Sequence, residues 1–350
     1  MSWRDSLGYP GMSVREAIRA IDDGASQICL IVDQNEKLVG TVTDGDVRRA
    51  ILAGYDIDGP IEKIMNPKPA TAGLDDTPQV IAEMMQKLRL RQIPVLDSSG
   101  RICELALQGA VSGRVQERDN LVVLMAGGLG TRLRPLTTET PKPLLPVGNR
   151  PLLETIVEGF SAQGFSKFHM CVNYKAEMIE GHFGNGDKWG VEIQYLRENE
   201  KSGTVGGLRH LGEKPTAPII VMNGDLLTKI NYQHLLDFHL QNHAVATMCV
   251  REYEWQVPFG VVELDHNKLT RITEKPKHSS FVNAGIYVLE PELLDRIPTE
   301  GAYDMTTLFE FAIAKHENVV AFPIREYWLD VGYEDDLAKA RVEFEEVFGE

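Results

Sequence analysis

The sequence predicts an α/β protein: a mostly parallel sheet covered by helices over residues 119–350, preceded by a smaller α+β module over residues 1–118. Three patterns carry that expectation. Candidate strands at 121–125, 168–172, 191–196, 218–222, 244–250, 283–289 and 319–323 alternate with helix-length segments, as a sheet covered on both faces requires. The first of them, Leu121 to Met125, runs into Gly127, Gly128 and Gly130, which let backbone amides approach a ligand closely. Ahead of it, a helix followed by two short strands occurs twice, with Asp33 matched by Asp97 at an offset of 64 residues.

In the first copy, Ser13 and Glu16 form a capping box for a helix from Val14 to Ile21. Strands at Gln27–Asp33 and Lys37–Thr43 follow, and then a helix from Gly45 to Leu52. The second copy has a helix from Thr77 to Leu90, with Ile81, Met84, Met85 and Leu88 on one face. Its strands are Gln92–Asp97 and Arg101–Leu107. This doubled unit resembles a tandem pair of CBS domains, which bind adenosine nucleotides. The resemblance implies that Thr43 contacts phosphate and Asp46 the ribose of a regulatory nucleotide. Leu107 and Ala110 stand at those positions in the second copy, so one conventional site at most is expected, and a purely structural module is the alternative. The polar stretch Gln116–Asn120 is the expected boundary.

In the second half, the glycine loop is followed by Thr131, Arg132 and Lys142. Backbone amides flanked by two cations make a cradle for a polyphosphate, and neither the P-loop ending nor the dinucleotide spacing is present. Pro141 and Pro143 restrict the backbone around Lys142 and help aim its amine. Pro218–Asp225 reads as an apolar strand ending in a carboxylate, and Asp225 is a helix cap or a magnesium ligand. Asp330, between Leu329 and Val331, needs a cationic partner, either a metal or a buried salt bridge.

The block Leu121–Glu154 closely resembles the signature of sugar-1-phosphate nucleotidyltransferases, and the likeness runs to the C-terminus. It implies a Rossmann-like domain. Ala126, Gly127, Gly128, Gly130, Thr131 and Arg132 would hold the phosphates of a nucleoside triphosphate. Lys142 would stabilise charge at the reacting phosphorus, while Asp225 and Asp330 would share Mg2+. Gly203 and Thr204, in a loop that departs from the family pattern at Lys201, Ser202, Val205 and Gly207, would lie near the ribose and base. Gly260, Glu274, Lys275 and Asn283 would bind a sugar 1-phosphate. The order of CBS pair and transferase resembles the glucosamine-1-phosphate guanylyltransferases of legionaminic-acid biosynthesis. That implies GTP and glucosamine 1-phosphate. Mannose-1-phosphate guanylyltransferases, thymidylyl- or uridylyltransferases, and a catalytically silent nucleotide sensor are the alternatives.

Charge narrows the partners. The net charge of −15 divides into −3 for residues 1–118 and −12 for the rest, which argues against nucleic acid and anionic membranes. Cys29, Cys103, Cys171 and Cys249 are widely spaced and sit among apolar neighbours, so buried, reduced thiols are expected. No apolar run approaches the ~20 residues of a membrane span, and no basic-then-apolar leader opens the chain. A cytoplasmic homo-oligomer is the expectation. His239 and His243 are the sole histidines expected to share a helical face, without the glutamate of a zinc motif.

Overall fold

A computed structural model of the chain describes residues 3–24, 26–88, 90–107, 118–198 and 202–349. Ala110, Gln116, Glu117 and Lys201 lie outside them. The chain forms two compact units, Met1–Gln116 and Glu117–Glu350.

The first unit repeats one motif. Strand β1 (Leu7–Gly8) runs parallel to β2 (Ile28–Val32) across helix α1 (Val14–Gly24), and β3 (Leu38–Thr43) returns antiparallel before helix α2 (Asp44–Leu52). The second copy is β4 (Ala72–Gly73), α3 (Pro78–Leu88), β5 (Gln92–Leu96) and β6 (Ile102–Leu107), with the same pairings. The 64-residue offset extends to the backbone irregularities. Register shifts fall between Ile31 and Val32 and again between Val95 and Leu96. The matched aspartates do the same work. Asp33 Oδ1 accepts from the amides of Asn35 and Lys37, and Asp97 Oδ1 from those of Ser99 and Arg101, each closing the polar turn of its strand pair. Ser13 and Glu16 form the expected box at the start of α1.

The second unit is built on a seven-stranded sheet. Its strands are β7 (Val122–Met125), β10 (Lys167–Val172), β11 (Glu192–Arg197), β12 (Ile219–Asn223), β14 (Ala246–Gln256), β17 (Lys277–Leu289) and β18 (Val319–Pro323). The order is β11-β10-β7-β12-β17-β14-β18, and every pairing is parallel except those made by β17. Smaller pairs are β8 (Pro146–Val147) with β9 (Arg150–Pro151), β13 (Leu226–Thr228) with β19 (Trp328–Asp330), and β15 (Val261–Asp265) with β16 (Lys268–Thr273). The period of two along each strand divides the core. Val122, Leu124, Ile220 and Met222 pack on one side with helices α4 (Leu152–Ser161), α5 (Ala176–Phe183), α6 (Tyr232–Gln241) and α8 (Glu334–Phe348). Val123, Ile219 and Val221 pack on the other with α7 (Met305–Ala314).

Two expectations are corrected. Cys29, Cys171 and Cys249 are buried, but Cys103 is exposed: it is the extra residue where the β5–β6 register shifts, left unpaired between Ile102, opposite Leu96, and Glu104, opposite Val95. Helix α6 ends at Gln241, and His243 takes a left-handed backbone with φ 49°, so it shares no helical face with His239. No helix of the described residues is long and apolar enough to cross a membrane.

His239 itself is fully buried, with Nδ1 2.8 Å from Thr247 Oγ1 and Nε2 3.2 Å from Glu290 Oε1. Burial lowers its pKa to about 4. Glu290, whose own carboxyl burial pushes upward, offers only partial relief to a charged ring. Because the folded value lies below the ordinary one, neutral His239 supports the fold above about pH 6.5. That support drains away as pH falls towards 4. The loss should reach at most about 3 kcal/mol. Melting temperatures measured from pH 7 to pH 4 should fall more steeply for the native chain than for His239→Gln.

Candidate active site

Strands β7 and β12 are central neighbours in parallel register, so their C-terminal ends open at one edge, where parallel sheets place ligands. After Met125, the amide of Ala126 still bonds to Cys171 O at 2.9 Å, and the chain then leaves the sheet. Gly130 has φ 61°, and a Cβ there would stand 2.9 Å from Thr137 Cγ2. The buried Thr137 hydroxyl donates to Gly130 O at 2.8 Å and pins the turn. Gly128 meets nothing within 4 Å, so the middle of the loop faces open space. Thr131 and Arg132 follow in a short 3-10 turn and are exposed.

Lys142 begins another 3-10 turn between the buried Pro141 and Pro143, and its Nζ lies 2.5 Å from Asp225 Oδ2. Asp225 follows Gly224, whose amide bonds to Met125 O at 2.9 Å. A Cβ at 224 would stand 2.9 Å from that same carbonyl, so only glycine lets β12 lie this close to the end of β7. The 105 positions between the two aspartates are closed by backbone. Leu226 pairs with Asp330 in the β13–β19 ladder, and Val331 N donates to Asp225 O at 3.0 Å.

Asp330 keeps an exposed edge on the cleft, yet its carboxyl is raised above the ordinary range. Desolvation is the larger cause and the nearby charge of Asp225 the next, opposed by Lys142 and Arg132. The Arg132 guanidinium lies 5.4 Å from the centre of the Tyr333 ring, at the start of α8. Loop, two cations and two carboxylates therefore meet at one place.

The remaining residues are more dispersed. Gly203 has φ 80° and packs on the backbone of Tyr303. The Thr204 hydroxyl accepts from Met305 N at 2.8 Å, so it caps α7. Gly260 and Glu274 face each other across the mouth of the β15–β16 hairpin: a Cβ on Gly260 would sit 2.9 Å from Glu274 Oε2. Lys275 beside it has φ 44°. Asn283 lies in β17, where its amide donates to Tyr287 OH and accepts from Gly285 N. Among the described residues no hydrogen bond or ion pair joins Glu274 or Lys275 to Asp225 or Asp330. No group of three or more His, Cys, Asp or Glu side chains among them forms a metal cluster.

The chain is similar to known proteins. The nucleotidyl transferase family model matches residues 121–347. The chain belongs to that family. The CBS domain model matches residues 9–53 and 61–106, so two CBS domains precede the nucleotidyl transferase domain. A mannose-1-phosphate guanyltransferase of Yarrowia lipolytica is 35% identical over 223 residues, 61% of each chain. Another from Saccharomyces cerevisiae is 31% identical over 229 residues, 63% of each. The match thus spans about three-fifths of these curated relatives. The crystal structure of HddC from Yersinia pseudotuberculosis is 26% identical, with a TM-score of 0.52, covering 64% of this chain and 99% of that one.

One residue of the nucleotidyl transferase cleft escaped the sequence reading. Glu198, just past β11, is half-buried, and burial raises its carboxyl against the pull of Ser202 and Arg209. Its Oε1 is buried without a hydrogen-bond partner among the described residues. Cβ atoms built on Gly127 and Gly207 would come within 3.0 Å and 2.9 Å of its two oxygens, so it lies directly under the glycine loop. The available signal was the one used for Asp225, an acid at the C-terminal end of a strand.

In the CBS pair, Thr43 and Asp46 are joined to each other. Asp46 Oδ2 accepts from Thr43 N at 2.8 Å and from its hydroxyl at 2.6 Å, while Oδ1 accepts from Arg49 Nη2 at 2.6 Å. The pair forms the capping box of α2, so a ribose there must displace existing bonds.

Proposed function

We propose that the chain transfers a guanylyl group from GTP to a hexose 1-phosphate, giving a nucleoside-diphosphate sugar and pyrophosphate. The convergence of the glycine loop, Lys142, Asp225 and Asp330 on one strand edge carries this reading. Amides around Gly127, Gly128 and Gly130, with Arg132, bind and orient the triphosphate. Lys142, held by Pro141 and Pro143, sets its positive charge where the α-phosphorus reacts. The incoming oxygen belongs to a sugar phosphate that is already anionic, so no general base is needed. Positioning and charge neutralisation carry the step.

Asp225 and Asp330 would hold Mg2+, and the residues fit it. A carboxylate pair left under mutual repulsion, with Lys142 bonded to one member alone, is short of positive charge. Two carboxylates plus substrate phosphates are a coordination this ion favours. Bound there, the ion would neutralise phosphate charge.

Glu198 supports guanine. A carboxylate offers two acceptors side by side, and guanine alone among the common bases presents adjacent N1–H and N2–H donors on its pairing edge. Mannose 1-phosphate is the acceptor proposed first, since the curated relatives carry that name. Glucosamine 1-phosphate is the second, carried by the CBS pair ahead of the catalytic domain.

Pyrophosphate release, measured with four triphosphates against mannose, glucosamine and glucose 1-phosphates, tests the proposal. GTP should be preferred, and absence of turnover with every pair would favour the nucleotide sensor. Glu198→Gln should cut kcat/KM for GTP at least ~10²-fold, because one of the two acceptors facing the guanine donors becomes a donor itself. An unchanged GTP preference would remove Glu198 from base reading.

A further inference from the structure

The β15–β16 hairpin carries an apolar face that nothing in its own chain covers among the described residues. Val262 pairs with Ile272 and Leu264 with Leu269, the register shift being absorbed by Thr270. Paired residues share a face, so these four aliphatic side chains lie together, 48–64% exposed. Phe259, at the base, is 72% exposed. The opposite face is polar, with Glu263 and Arg271 3.6 Å apart and Asp265 paired with Lys268. The ribbon has the alternation of a half-buried strand, yet both of its faces are bare. A lone two-stranded ribbon is marginally stable in water and gains from a second layer.

We propose that this face is a dimer contact, in which two copies of the chain stack their β15–β16 hairpins about a two-fold axis. Area, charge and symmetry favour a second copy as the occupant. Taking roughly 150–200 Å2 per large apolar side chain, the five residues leave on the order of 500 Å2 uncovered, hence ~1,000 Å2 for a pair, the lower bound of a specific interface. Residues 252–281 hold five acidic and four basic side chains, a net of −1 in a chain of −15. Two acidic copies therefore meet little repulsion from this segment. An aliphatic face is also its own complement, as an isologous contact demands.

Sedimentation of the full chain over about 1–100 μM tests this. The native chain should run at twice the chain mass, and Leu264→Lys and Ile272→Lys should each shift it to monomer. Glu263→Gln, on the polar face, should leave the dimer unchanged. Hydrogen exchange of the native chain, which needs no variant to fold, should show residues 261–273 exchanging faster on dilution. A monomer at every concentration, a dimer retained by both lysine variants, or exchange at 261–273 indifferent to dilution would each overturn the proposal.

Discussion

Replacing Asp225 by alanine is expected to lower kcat about 10³-fold without unfolding the chain, the range found when one element of charge stabilisation is lost from a phosphoryl-transfer site. The fold should survive because the carbonyl of Asp225, rather than its carboxylate, bonds to Val331 N and ties β13 to β19. The side chain is a third exposed and, among the described residues, bonds to Lys142 alone. Turnover measured by pyrophosphate release, beside a melting curve within a few degrees of the native one, checks both halves. Excess Mg2+ should not restore the rate, since Asp330 alone cannot rebuild a two-carboxylate site. Near-native turnover would count against the metal role of Asp225.

Lys142→Met should cost about 10²–10³-fold in kcat with a smaller change in the triphosphate KM, as befits a charge used most at the reacting phosphorus. Lys142→Arg should recover little of it. The ammonium is a compact charge that reaches Asp225 at 2.5 Å from between two buried prolines, and a planar guanidinium cannot occupy that space in the same way. Steady-state kinetics with separate kcat and KM values decide the matter. A rise in KM with kcat preserved would reduce Lys142 to a binding residue.

Much of this site was legible because its parts are local. Most strands of the main sheet contain a short apolar run, and the glycine loop, Pro141-Lys-Pro143 and the strand-terminal Asp225 are contiguous signals. What stayed hidden is non-local or weakly patterned. The meeting of Asp225 with Asp330 depends on a three-residue ladder, β13 with β19, too short to show a period. The extension of β14 and β17 past the sheet, and the β15–β16 hairpin, went unseen since charged residues break their apolar runs. The hairpin also turns at His266 and Asn267, without the glycine that usually announces a tight turn. The exposure of Cys103 was hidden too, because apolar neighbours in sequence do not reveal the register shift that leaves this residue unpaired in β6.

The contrast between the two substrate sides follows from where the chain anchors them. The proposed triphosphate groups hang from β7 and β12, hydrogen-bonded on both flanks in the middle of the sheet, whereas Gly260, Glu274 and Lys275 lie at the base of the separate β15–β16 ribbon. If the proposed roles hold, alterations at Gly260, Glu274 and Lys275 should retune which sugar is accepted while leaving the triphosphate grip intact. A protein engineer seeking new glycosyl donors should vary Gly260, Glu274 and Lys275 before touching the loop at 126–132.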